Sequence, residues 1–233
     1  MSVTADHSYA DLPRLMAELT GDEKHALASA STVDVLWVLY DRVLRVDPSG
    51  IDDPDRDRFL LSKGHGPVAY YAVLAAKGFL DPELLANWGE ADSPLGYHPD
   101  RVLLPAAEIG SGSLGHGLPL GVGVTLGLRA EGRTRPRVIV LVGDGELDEG
   151  SNAEAIAAAA RLGLDRLTVV VIDNSSSSLG WPGGIAERFA VEGWATSTVN
   201  GRDHEELAVA LGRTAADRPT VVVAVTEPKD MSA

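Results

Sequence analysis

Asp144 stands between Gly143 and Gly145, directly after the apolar run Val138–Val142, and Asn174 follows a second apolar run thirty residues later. A carboxylate and an amide are both hard oxygen donors, and one nearby backbone carbonyl would make three. If the two runs are parallel strands joined by a helix, their carboxyl ends lie on one edge of a sheet and bring Asp144 beside Asn174. Magnesium takes six oxygens and commonly draws the rest from water and from substrate phosphates. The glycines let backbone approach a phosphate closely, and the N-terminus of the following helix favours an anion. The pattern therefore suits a metal that carries a diphosphate. A Gly-Asp-Gly triplet alone also makes an ordinary turn, and Asp and Asn cap strand ends. Asn174 at the neighbouring strand end moves the reading from turn to metal.

Several elements must hold these residues in place. Helical spacing runs through Val33–Leu44, and Phe59–Gly66 reads as a short extended segment ending in glycines. A helix closed by Gly78 follows, then a turn-rich connection over Asp81–Pro105 and a glycine-rich helix over Leu118–Ala130, with Pro119 in its first turn. Strands are expected at Arg137–Val142, Leu167–Ile172, Trp194–Val199 and Thr220–Val225. Helices at Ser151–Leu162, Ala186–Gly193 and Asp203–Ala216 alternate with them. Continuous Val/Ile runs alternating with helices predict an α/β fold, a mostly parallel sheet covered by helices on both faces. The expectation is one domain over 1–233, with a helical part at about 8–60 and an α/β core at about 61–226.

The bulk properties narrow the function classes. No apolar run reaches the roughly 18 residues of a membrane span, and Met1–Leu15 lacks a basic-then-apolar secretory pattern. The absence of cysteine excludes disulfides and thiolate metal sites and fits a cytoplasmic protein. A formal charge of −14 opposes binding to nucleic acid or anionic membrane. It also means that a phosphorylated ligand needs a cation to mediate its binding.

Taken in order, DPDRDRFLLSKGHGPVAYYAVLAAKGFL, GYHP, EIGSGSLGHGLPLGVGVTLGL, GDGELDEGSNAEA and VEGWATSTVNGRDHEEL resemble the N-terminal half of the transketolase family. The GDG…DN pattern is similar to the thiamine diphosphate motif, and the likeness runs over roughly Ala26–Thr226. The resemblance implies the thiamine-diphosphate-binding fold. It also implies that Asp144, Asn174 and the carbonyl of Ser176 hold Mg2+ or another divalent cation. Gly143, Gly145 and Glu146 would line the diphosphate, with His65 over it. Ser113, Leu114 and Gly115 would meet the cofactor through backbone groups, with His116 near its ring. His98 would face a sugar substrate, and spacing puts His25 at a second substrate-facing position. Other readings stay open for the histidines: a surface residue for His25, a turn residue for His65 and a helix cap for His116. Glu149 and Glu154 either stabilise a helix start against its dipole or lie at a subunit interface, as their family positions do.

The family also needs a pyrimidine-binding domain that carries an activating glutamate, and no such domain fits in 233 residues. The expectation is a second subunit supplying it, with two copies of each chain. Three departures stand out: serines at Ser175–Ser178 where relatives are apolar, Ala153 in place of a tryptophan, and an end at AVTEPKDMSA where relatives continue. The leading expectation is transfer of a two-carbon ketol unit from a ketose, expected to be phosphorylated, to an aldehyde acceptor. Decarboxylation of a 2-keto acid with carboligation, or a non-catalytic scaffold, are the alternatives.

Overall fold

The structure is a computed structural model that describes residues 7–19, 29–64 and 66–228. His25 and His65 lie outside the described residues. In chain order, α1 (Leu12–Glu18) is followed by α2 (Val33–Val38), which widens into a π-helical turn over Leu39–Val43. Next come β1 (Arg58–Leu61), α3 (Pro67–Ala76) and α4 (Gly117–Ala130). The remaining elements are β2 (Val138–Gly143), α5 (Gly150–Arg161), β3 (Leu167–Asp173), α6 (Ile185–Ala190), β4 (Ala195–Asn200), α7 (His204–Gly212) and β5 (Thr220–Val225).

The strands form one sheet in the order β1-β2-β3-β5-β4, and every neighbouring pair is parallel. Alternate residues feed two cores. Phe59, Ile139, Leu141, Val170 and Ile172 pack with α1, α2, α3 and α7, whereas Leu60, Val140, Val142, Val169 and Val171 pack with α4, α5 and α6. Each fully buried side chain of this size contributes about 1.5–3 kcal/mol of transfer free energy. Both faces are therefore covered, which is why β2 and β3 read as unbroken apolar runs. All ten residues of α3 are buried, so it has no polar stripe. β4 lies at the sheet edge and alternates between partly buried and exposed positions.

Two helix ends differ from the sequence reading. α6 stops at Ala190 and turns through Gly193, whose φ of +100° suits glycine. α7 stops at Gly212 instead of continuing to Ala216, because glycine is a poor helix residue and the chain beyond it forms an antiparallel bridge between Ala215 and Arg218. A partly buried polar knot around the buried Asp34 ties the start of α2 to the β4–α7 turn. Asp34 accepts hydrogen bonds from the Tyr9 hydroxyl at 2.6 Å and Arg202 at 2.7 Å, and His204 Nε2 lies 2.8 Å from it.

Candidate functional site

β2 and β3 run in register, with Gly143 opposite Ile172, and the Asp144 N–H donates to the Ile172 carbonyl at 3.0 Å. Asp144 and Asn174 thus leave adjacent strand ends on the same edge, 1% and 3% exposed. Asp144 Oδ2 accepts from the N–H groups of Ser176 at 2.6 Å and Ser177 at 3.1 Å. Its Oδ1 accepts from the Gly145 N–H at 2.9 Å and from the Ser176 hydroxyl. The serine run continues onto a second carboxylate, since Ser177 and Ser178 both donate to Asp148. Burial works to raise the Asp148 carboxyl, but those donors outweigh it and hold the group below its usual range.

The fit of a divalent cation can be tested on the Asn174 amide. Its Oδ1 is buried with no hydrogen-bond partner, and an unsatisfied buried acceptor costs about 1–3 kcal/mol. A cation between Asp144 and Asn174 would satisfy it. The Ser176 carbonyl lies 3.3 Å from where a Cβ on Gly145 would stand, so glycine keeps that oxygen open. The three oxygens fit a hard cation that completes its shell with phosphate and water. Among the described residues, no group of three or more His, Cys, Asp or Glu side chains could hold a metal, which leaves this one-carboxylate set as the candidate.

Glu146 sits differently from the diphosphate-lining expectation. The short 3-10 turn Gly145–Asp148 directs its carboxylate inward, 3% exposed. There Oε1 accepts from the Ser62 hydroxyl and from the Gly115 N–H at 3.0 Å, and Oε2 accepts from the Gly143 N–H at 3.4 Å. Burial pushes this carboxyl up, and the three donors together with the Lys63 charge oppose the shift. Glu146 thereby ties the end of β1, the loop before α4 and the end of β2 into one edge.

The same loops gather the other named residues. Gly115 is buried at φ +81°, and its carbonyl accepts from the Ser151 hydroxyl at 2.7 Å. A Cβ on Gly64 would stand 3.3 Å from Leu114, and one on Gly112 would stand 2.9 Å from the His98 ring. His98, Ser113, Leu114 and His116 are exposed on this surface. His116 precedes α4, and its side chain makes no capping bond. Glu149 and Glu154 are also exposed.

Sequence reasoning missed Lys63. Its stem runs beside Gly143, with Cγ and Cε each 3.5 Å from where a Cβ would stand, and the residue is 7% exposed. The signal that could have found it is a lone cation directly after a strand end in an acidic chain. Asp148, the anchor of the serine loop, was also missed.

A wholly parallel α/β sheet with its polar cluster at the carboxyl ends of adjacent strands defines the class. Comparison with known proteins then identifies the family. The profile described as "Transketolase, thiamine diphosphate binding domain" matches residues 20–227. The chain is 61% identical over 219 residues to a Rhodococcoides fascians protein named "Ferredoxin fas2", covering 94% of this chain and 72% of that one. It is 41% identical over 157 residues to an Actinobacillus succinogenes protein named as one of the subunits of apulose-4-phosphate transketolase, covering 67% of this chain and 56% of the relative. The solved transketolase from Leishmania mexicana matches with a TM-score of 0.75 at 25% identity, over 94% of this chain and 37% of that one. The chain belongs to the transketolase family, in its thiamine diphosphate binding domain. It spans little more than half of the Actinobacillus relative and about a third of the Leishmania enzyme.

Proposed function

We propose that the chain is the diphosphate-binding subunit of a split transketolase-like enzyme, working in the cytoplasm as one folded unit. It transfers a two-carbon ketol unit from a phosphorylated ketose to an aldehyde acceptor. The observation that carries this reading is the buried, unpartnered Asn174 Oδ1 beside Asp144 at adjacent parallel strand ends. The Actinobacillus relative, named as one of the subunits of apulose-4-phosphate transketolase, supports both the donor class and a second subunit.

In this reading Asp144, Asn174 and the Ser176 carbonyl hold a divalent cation, and Gly143 and Gly145 let the diphosphate approach the backbone. Lys63, running beside Gly143, adds a positive charge to an acidic edge. Ser113, Leu114 and Gly115 offer backbone groups to the middle of the cofactor, and His116 stands near its ring. His98 and His25 orient sugar hydroxyls, and His65 moves a proton near the diphosphate. Glu146 keeps the three loops in register. Thiamine diphosphate, when bound, supplies the nucleophile, and the partner supplies the activating glutamate. Two copies of each chain complete the assembly. The name of the Rhodococcoides relative is that of an electron carrier, but these 233 residues hold no cysteine to ligate an iron–sulfur cluster.

One observation favours the scaffold reading: four donors already fill the Asp144 carboxylate. Calorimetric titration of the chain, with its partner present, separates the two. Thiamine diphosphate should bind only with Mg2+, and Asp144→Asn should weaken it by about 30-fold, the equivalent of one charge-assisted contact of roughly 2 kcal/mol. Metal-independent binding, or an unchanged Asp144→Asn variant, refutes the metal-site reading. Absence of all binding leaves the scaffold.

A further inference from the structure

The formal charge of −14 makes any local excess of cations conspicuous. One such excess lies at the edge where the strands begin. Arg42, Arg45, Arg135, Arg137 and Arg166 line an open groove of about 480 Å³ there. β2 is six residues long, so this edge is about 20 Å from Asp144 at roughly 3.3 Å per residue.

Two of the five guanidinium groups are fixed from beneath. Asp57, with a fully buried side chain, accepts from Arg45 at 2.6 Å and from Arg137 at 3.2 Å. It also accepts from the backbone N–H groups of Arg45 at 3.0 Å and Arg137 at 2.8 Å. One carboxylate thus orients two guanidiniums and neutralises only one of them. Arg42 pairs with Glu205, whose side chain is 80% exposed, and lies 3.6 Å from Asp41, which also pairs with Lys77. Arg135 and Arg166 have no ion pair among the described residues. The cluster keeps a net positive charge with part of its geometry set in advance, which lowers the ordering cost of binding an anion.

Arg166 also borders a second cavity, of about 250 Å³, in which Leu128 and Pro136 meet Arg129, Arg133 and Asp165, the last paired with Arg129 at 3.7 Å. An arginine groove that shares Arg166 with a partly apolar cavity matches a molecule with a phosphate end and a ring or apolar end. Guanidinium forks bind carboxylate and phosphate oxygens in pairs alike, but several forks around one groove suit the larger number of oxygens and charges of a diphosphate. We propose that this edge is a second ligand site, separate from the cofactor edge, that takes an organic phosphate bearing at least two negative charges and an apolar or ring-bearing group.

The test is calorimetric titration of the full chain in metal-free, low-salt buffer, with inorganic pyrophosphate and then ADP as probes. Pyrophosphate should bind saturably, and the double variant Arg135→Ala, Arg166→Ala should weaken it at least about tenfold. Neither side chain makes an ion pair within the described fold, so the variant should melt like the parent. ADP should bind more tightly than pyrophosphate, because its ring reaches the adjoining cavity. Asp144→Asn should leave both affinities unchanged, which separates this site from the cofactor reading. No saturable binding, an unaffected double variant, or loss of binding in Asp144→Asn overturns the proposal. Equal affinity for the two probes overturns the part assigned to the apolar cavity.

Discussion

Replacing Glu146 with alanine tests whether this side chain holds the site together or merely faces a ligand. The carboxylate accepts three hydrogen bonds from three different segments while 3% exposed. Alanine leaves the Gly115 and Gly143 N–H groups buried without an acceptor, at about 1–3 kcal/mol each, while the Ser62 hydroxyl can rotate toward another partner. Burial, which raises the Glu146 carboxyl, is a cost that the substitution relieves, so the net loss falls below the midpoint of that sum, at about 3 kcal/mol. For a chain of this length that lowers the melting temperature by roughly 10 °C. Glutamine retains one oxygen and should cost about a third as much, since only the long 3.4 Å contact from Gly143 then meets a donor. Thermal melts of the metal-free, cofactor-free chain read both variants. An unchanged melting temperature for Glu146→Ala, with cofactor affinity alone reduced, would refute the inward-facing role and return Glu146 to the diphosphate.

Gly115→Ala must place a Cβ 2.5 Å from the Ser151 hydroxyl at φ +81°, so it should cost more than about 2 kcal/mol in urea denaturation. Gly123→Ala, inside α4 with nothing within 4 Å, should gain up to about 1 kcal/mol, and similar effects from the two variants would contradict the crowding argument. Burial raises the Asp34 and Asp57 carboxyls, but hydrogen bonds from Tyr9, His204 and Arg202 to one, and from Arg45 and Arg137 to the other, outweigh it and hold both below the usual range. A depressed folded-state pKa stabilises above the unfolded value near 3.9, and that contribution is lost as pH falls through the folded value. Urea midpoints should therefore drop below about pH 4, and Asp34→Asn should flatten that drop; an equal acid slope in the variant would exclude the mechanism.

The fold was readable because its strands are buried on both faces. Val138–Val142 and Leu167–Ile172 have no polar interruption beyond the buried Thr168, and a covered parallel sheet accommodates two such runs joined by a helix. The meeting of Asp144 with Asn174 follows from that topology, so it too could be seen in advance. The direction of Glu146 could not, because it depends on the backbone angles of a four-residue turn. The hold of Asp148 on Ser177 and Ser178 joins residues about thirty apart through a loop with no periodicity. Lys63 was legible only as a lone cation after a strand end, because the approach of its stem to Gly143 leaves no mark in a hydropathy pattern. The end of α7 was misplaced because alanines beyond Gly212 continue a helical composition after the helix has stopped.

The distribution of donors at the cofactor edge bears on whether the site is whole. Asp144 draws its donors from the serine loop and the Gly145 N–H, Asp148 draws donors from the serine loop, and Glu146 draws its donors from three loop segments. Among the described residues Asn174 Oδ1 is, with Asn152 Oδ1 near Glu146, an acceptor that the fold leaves open, and the place of Asn174 beside Asp144 is in keeping with a cation site. The apolar side is less complete. Leu114, which packs beside Gly64, is 38% exposed, and Leu179, which follows the latched serines, is 69% exposed. Leu120 on α4 is 47% exposed, and Gly123 beyond it has open space above. Single exposed leucines are ordinary on a surface. Covering such side chains would add about 25 cal/mol per Å² of apolar area removed from water. In the proposed assembly the serine loop would border the cation site of Asp144, Asn174 and the Ser176 carbonyl. Serines suit that position, since their hydroxyls can leave one carboxylate and find another acceptor.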